Sequence, residues 1–132
     1  MDNVPVKQSP SVYLAEFHEA FDLPRSTVPR VPSDTVAAAR QRLLDEEAGE
    51  VAEAVGERDL VAVAHELADV VYVAYGTALA YGIDLDAVIA EVHRANMSKL
   101  GRDGRPVVAD GKVQRGPDYR PPSIAALLDR RA

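Results

Sequence analysis

Hydrophobic residues recur along the first hundred positions at the three- and four-residue spacing of helices that pack on one side. Val12, Leu14, Phe17 and Phe21 in VYLAEFHEAF predict a short helix that starts at Ser11 and ends before Pro24. Three prolines between positions 24 and 32 remove donors and restrict their predecessors, so that stretch is an extended connection. Ser33 or Asp34 caps a second helix running to about Glu57, with Gly56 near its end. Asp59 caps a third over 60–81, closed by Gly82. The loop between the second and third helices is so short that the two must be antiparallel neighbours. Asp84 caps a fourth over 85–99, where Leu85, Val88, Ile89 and Val92 form an apolar stripe, and Gly101 ends it. The texture then changes to turns, with hairpin or loop signals at Asp103-Gly104 and Asp110-Gly111. Ser123 can cap a last short helix over 124–130, either docked or loose. The expected architecture is all-α: a bundle of four main helices over 11–100 and a basic, loop-rich tail over 101–132, in one domain spanning 1–132.

Composition narrows the class. The 132 residues suffice for one core, and 47% hydrophobic with 27% charged residues argues against general disorder. The absence of cysteine removes disulfides, thiolate metal sites and a cysteine nucleophile together, and it fits a cytoplasmic protein. The apolar run over 70–83 is shorter than the ~20 residues of a membrane span, and its helix also carries His65, Glu66 and Asp69, so it reads as a core helix. No membrane partner is expected. Residues 1–92 hold 17 acids against 6 bases, while 93–132 hold 9 bases against 4 acids. Mutual attraction of two surfaces explains such a split; so do acidic helices that bind metal beside a basic tail that holds a polyanion. An overall net charge of −6 counts against a nucleic-acid partner.

The acidic residues carry the chemistry. In LLDEEAGEVAEAV, Glu46, Glu47 and Glu50 project from one side of the second helix, an arrangement that is ordinarily a solvated face. The third helix changes the balance. Over 60–81 it is apolar on nearly every side, the pattern of a helix surrounded by others, yet Glu66 and Asp69 stand three apart within it. A buried carboxylate needs a cation, a proton or a base, and that helix offers no Lys or Arg. In an antiparallel hairpin, positions 46–50 and 66–69 meet across the interface, and carboxylates converging there demand divalent cations. Oxygen ligands select a hard ion, Mg²⁺ or Mn²⁺. No histidine has a Glu three residues before it, which weakens a di-iron reading, and HELAD lacks the second His of a zinc-protease helix, leaving His65 a supporting role.

The spacing Glu-Glu-x-x-Glu followed by Glu-x-x-Asp, here EEAGE and HELAD, resembles the signature of the all-α nucleoside triphosphate pyrophosphohydrolases. That superfamily includes MazG, the dimeric dUTPases and phosphoribosyl-ATP pyrophosphohydrolase. EVHRANMSKL, over 91–100, is similar to the segment that follows those helices in MazG-like members, notably the deinococcal dUTPase-like ones. The resemblance implies cleavage between the α and β phosphates of a (deoxy)nucleoside triphosphate, releasing the monophosphate and pyrophosphate. It implies Glu47, Glu50, Glu66 and Asp69 as the principal Mg²⁺ ligands. Glu46 would be the general base or a ligand of a further metal. It also implies a homodimer or tetramer whose neighbouring helices complete the bundle, and dUTP or a related pyrimidine or aberrant nucleotide as substrate, in a role of nucleotide-pool cleaning.

Charge building on a leaving pyrophosphate must be met by metal or basic groups. Lys99 is the best placed base, with Arg94, Arg102 and Arg105 as helpers; the other reading of Lys99 is a partner for the helix dipole. Asn96 shares its face and would bond base or sugar, or serve as a capping amide. His93 lies on the same stripe, as a ligand contact or a buried hydrogen-bonded residue. Tyr119 in RGPDYRPP would stack on a base, or anchor packing between prolines. From another class, the competing reading is a non-catalytic adaptor or regulatory subunit that binds nucleotide, against which retention of all five carboxylates argues.

Overall fold

Ser9 and Pro10 start the first helix, α1 (Pro10–Ala20), one residue ahead of the expected position. The Ser9 hydroxyl accepts from the Ser11 N–H at 3.1 Å, and Pro10 occupies a first-turn position where no intrahelical donor is required. The computed structural model describes residues 7–129, which form two compact units, 7–84 and 85–129. The chain is mostly helical, with four main helices and a short tail.

In the first unit α1 is followed by α2 (Asp34–Glu57) and α3 (Leu60–Tyr81). Ser33 caps α2, accepting from Val36 N–H at 3.2 Å, and Asp59 caps α3, accepting from Ala62 N–H at 3.1 Å. α2 ends at Glu57, as expected, one residue after Gly56, and its cap is Arg58 in the left-handed region at φ 56°. Its N–H reaches back to the Ala54 and Val55 carbonyls, and the next residue already caps α3, which makes the connection as short as two helices allow. At the other end of α3, Gly82 has φ 69°, and a Cβ there would run into the Val28 carbonyl. The proline-rich connection passes this end: Ser26 N–H donates to Leu79 O and Arg30 N–H to Tyr81 O.

Both α1 and α2 pack on α3. Gly76 leaves room for side chains of both, since an added Cβ there would lie 2.5 Å from Arg40 Nη2 and 2.8 Å from His18 Nε2. Arg40 is buried with its Nε donating to Thr77 Oγ1 at 3.2 Å and Nη2 to Val73 O at 3.0 Å. His18 is 1% exposed. Burial pushes its imidazole below the usual range, so the ring is neutral, and the 2.8 Å contact to the Pro24 carbonyl fixes the proton on Nδ1. Phe17 meets Tyr72 edge-on at 5.4 Å and Phe21 at 4.7 Å.

The expectation that α3 is enclosed on nearly every side does not hold along its whole length. Its buried residues are Tyr75, Gly76, Ala78 and Ala80, all in the half that α1 crosses. Leu60, Val61, Leu67 and Val71 in the other half are exposed, Leu60 by 82%. The helix has the length and hydropathy of a membrane span, but its apolarity is divided between a covered half and a bare one that also bears Glu66 and Asp69.

In the second unit α4 (Leu85–Met97) ends two residues before the expected Lys99, and just past its end the Ser98 hydroxyl donates to Ala95 O and accepts the N–H of Arg120. A hairpin of β1 (Val108–Ala109) and β2 (Lys112–Val113) turns on Asp110 and Gly111, at φ 52° and 73°, the positive pair that the Asp-Gly signal demands. The last element, α5 (Ala125–Leu128), is a single turn, and Ser123 does not cap it. Its N–H donates instead to Glu91 Oε2 at 2.7 Å, while Arg94 grips the same carboxylate through two nitrogens at 2.9 and 2.8 Å and reaches Pro121 O at 3.1 Å. The Arg94 guanidinium, then the Ser123 N–H, hold the Glu91 carboxyl down to about 2. That depressed value stabilises the fold-back of the tail above the ordinary carboxylate range, and the contribution fades as pH falls towards 2. Arg130, the expected end of the last helix, lies outside the described residues.

Two glycines on the α2–α3 hairpin separate packing from propensity. Gly76→Ala is expected to destabilise by about 1–3 kcal/mol, because the methyl overpacks the crossing. Gly49→Ala, where a Cβ meets nothing within 4 Å, is expected to stabilise by up to ~1 kcal/mol. Urea unfolding of the two variants beside the parent measures both signs.

Candidate metal centre

The short turn at Arg58 and Asp59 fixes the register of the hairpin. Glu50 lies eight residues before Arg58 and Glu66 seven after Asp59, so at 1.5 Å per residue both stand about 10–12 Å from the turn. Glu47 precedes Glu50 by one helical turn, and Asp69 follows Glu66 by the same spacing. As a result Glu47 and Glu50 of α2 and Glu66 and Asp69 of α3 each offer one carboxylate oxygen, all within 4.8 Å of one another. Glu46 is exposed on α2 and stands outside this set of four.

Two oxygens in the cluster, Glu47 Oε2 and Glu66 Oε2, are buried with no hydrogen-bond partner. Such oxygens are acceptors with nothing to accept, a costly arrangement for an ionised carboxylate. Burial, then the charges of Glu50 and Asp69, push the Glu47 carboxyl up. Glu66 is pushed up as well, chiefly by a hydrogen bond shared with Glu50 that requires a proton, then by burial. The cluster therefore lacks positive charge. Among the described residues the base that comes within 4 Å of its oxygens is His65, which sits over the outer rim with Nε2 3.2 Å from Asp69 Oδ2 and Nδ1 3.7 Å from Glu66 Oε1, and is 69% exposed. An all-oxygen set with orphaned acceptors fits a hard divalent cation. Towards the turn, Glu50, Glu53, Glu57 and Glu66 also line an open groove of about 350 Å³, so the way in is acidic.

The remaining expected contacts lie in the second unit, each in its own surroundings. Arg94 is committed to Glu91 and the 120–121 carbonyls. Arg102 pairs with Asp118 at 3.5 Å, and Tyr119 is half-buried with the Arg115 guanidinium 4.8 Å over its ring. Among the described residues the side chains of His93, Asn96 and Lys99 have no hydrogen-bond partner. Sequence reasoning passed over Arg40, although its spacing to Leu43 and Glu47 places all three on one face of α2, which was the available signal.

Residues 14–96 match the model of the phosphoribosyl-ATP pyrophosphohydrolase family. The chain belongs to that family. The family is part of the MazG-like all-α nucleoside triphosphate pyrophosphohydrolase superfamily, so this protein is a pyrophosphohydrolase, acting on a nucleotide phosphoanhydride. The matched stretch contains all four clustered carboxylates. No curated protein matches the chain.

The raised carboxyls of Glu47 and Glu66 give the metal-free protein a definite pH dependence. Their contribution to stability is greatest below the ordinary carboxylate range and is lost as pH rises through their elevated values. The melting temperature in EDTA is expected to rise as pH is lowered from 7 towards 5. Millimolar Mg²⁺ or Mn²⁺ should raise it at pH 7 and much less at pH 5. A flat profile in EDTA, or no response to either ion at pH 7, contradicts the centre.

Proposed function

We propose that this protein is a Mg²⁺-dependent pyrophosphohydrolase that cleaves a (deoxy)nucleoside triphosphate, dUTP or a related pyrimidine or aberrant nucleotide, to the monophosphate and pyrophosphate. The observation that carries the proposal is the cluster of four carboxylates with two orphaned buried oxygens. Glu47, Glu50, Glu66 and Asp69 would hold the cation, with Mn²⁺ as a substitute. When bound, the metal screens the phosphate charge and lowers the pKa of the attacking water. The water oxygen bonds to the α-phosphorus as the bridge to the β-phosphate breaks, and pyrophosphate leaves. Glu46, exposed next to the cluster and outside it, takes the water proton on its carboxylate. His65 would orient Asp69 through Nε2, 3.2 Å from Oδ2.

Asn96, Lys99 and His93 are our choices for substrate contacts, since their side chains are uncommitted among the described residues. Arg94, Arg102 and Tyr119 would each have to leave a present partner to join them. Phosphoribosyl-ATP, the substrate in the family's name, is the second reading, and the family match is what favours it. A cytoplasmic setting accords with the substrate.

Pyrophosphate release from a panel of nucleoside triphosphates and phosphoribosyl-ATP, with Mg²⁺ and with Mn²⁺, tests the reaction. Glu47→Gln and Asp69→Asn are each expected to lower kcat/KM at least a hundredfold, and turnover that survives EDTA or both substitutions removes the metal mechanism.

The protein is also proposed to work as a homodimer. Leu60, Ala64, Leu67 and Val71 recur at alternating spacings of four and three on α3, a heptad seam, and all four are exposed. Light scattering at micromolar concentration should report a dimer that Leu67→Asp converts to monomer; a parent chain that is already monomeric ends this part of the proposal.

A further inference from the structure

The hairpin of α2 and α3 buries a cation that no carboxylate neutralises. Arg40 is 8% exposed and belongs to no ion pair among the described residues. It lines a cavity of about 310 Å³ among α1, α2 and α3, beside Phe17 and Tyr72, and the wall of that cavity also includes Glu47 and Asp69. A guanidinium always carries its charge, and an apolar chain of similar volume in place of a buried ion is often neutral or stabilising. Burial of Arg40 therefore points to a use other than stability, and the best-attested use of a buried polar group is to fix the register of packed helices.

The hydrogen bonds of Arg40 suit that use. Nε donates to Thr77 Oγ1 at 3.2 Å and Nη2 to Val73 O at 3.0 Å. The Thr77 hydroxyl directs its own proton to Val73 O at 2.8 Å, which leaves its lone pairs to accept from Arg40. A planar fork thus spans two α3 oxygens that are themselves bonded. Gly76 supplies the room, because a Cβ there would lie 2.5 Å from Nη2.

Counted from position 58, Glu50 and Glu66 stand eight residues away on the two arms, Glu47 and Asp69 eleven, and Arg40 and Gly76 eighteen. Eighteen residues make about five whole turns, so Arg40 returns to the interface beyond the carboxylates. The connection at Arg58 and Asp59 holds the near end of this ladder, and the fork holds the far end. Apolar contacts resist separation but, being non-directional, resist rotation poorly. A rotation of α2 by about 20° moves a group ~5–6 Å from its axis by about 2 Å, whereas metal ligands tolerate roughly 0.2 Å.

We propose that Arg40 is a positioning residue for the metal centre: its fork on Thr77 and Val73 sets the rotation of α2 against α3 and holds Glu47 opposite Asp69 at the spacing a divalent ion needs. The inference rests on the proposed metal centre and names what keeps its mutually repelling carboxylates in place.

Electron paramagnetic resonance of Mn²⁺ added alone to the full chain reads the centre without substrate. Arg40→Met keeps the length of the side chain and removes its donors. Well below the melting temperature it is expected to bind Mn²⁺ at least tenfold more weakly than the parent, while its melting temperature in EDTA matches or exceeds the parent's. A lower melting temperature with parental Mn²⁺ affinity marks a structural role only and overturns the inference. Where circular dichroism shows that Arg40→Met does not fold, Thr77→Val decides: it removes the Nε acceptor at nearly constant volume, and at least a threefold loss of Mn²⁺ affinity is expected. Folded variants with parental affinity overturn the positioning role and leave the metal centre standing; a parent chain that binds no Mn²⁺ removes the centre, and the inference with it.

Discussion

Carboxylates repel, and in this protein four of them are held with oxygens within 4.8 Å of one another by two helices that could separate to relieve the strain. What prevents separation is the connection at Arg58 and Asp59 at one end and the crossing at Gly76 at the other, where small residues let Arg40 and His18 approach the α3 backbone. The cluster is therefore a preorganised deficit of positive charge. Protons meet part of it, as the raised Glu47 and Glu66 carboxyls show. A divalent ion is the only common species that answers the whole of it with oxygen ligation.

The same hairpin divides the work of the apolar residues. Near Tyr75, Gly76, Ala78 and Ala80 they make a core with α1, and at this end the lining of the cavity includes aromatic rings and a buried guanidinium. Towards Leu60 they are bare. Burial of that bare stretch is a favourable contribution the single chain leaves unused, and a partner surface of similar shape would recover it.

The helices were legible in the sequence because caps and stops are local: Ser33, Asp59 and Gly82 act where the pattern places them. The end of α2 near Glu57 was readable too, but not the left-handed stop at Arg58, since an arginine carries no such mark in the sequence. The bond from Arg120 to Ser98 at the end of α4 spans more than twenty residues, which no window of sequence contains. The carboxylates were readable because hairpin register follows from residue number. Arg40 and His18 were not, because a buried polar residue becomes conspicuous only once the wall it belongs to exists. The enclosure of α3 was overestimated for a related reason: an apolar helix announces that something covers it, not whether the cover comes from its own chain.

The turn at Arg58 and Asp59 also bears on how the gene can change. Each residue added to either arm between Glu50 and Glu66 would rotate one pair of acids by about 100° around its axis, carrying it off the interface. Length variation among relatives that keep this chemistry should then fall outside the arms, or loop out at the turn itself. The sixteen-position step from Glu50 to Glu66 thus acts as a ruler, one that natural variation can extend only by adding a bulge that leaves both helical phases intact.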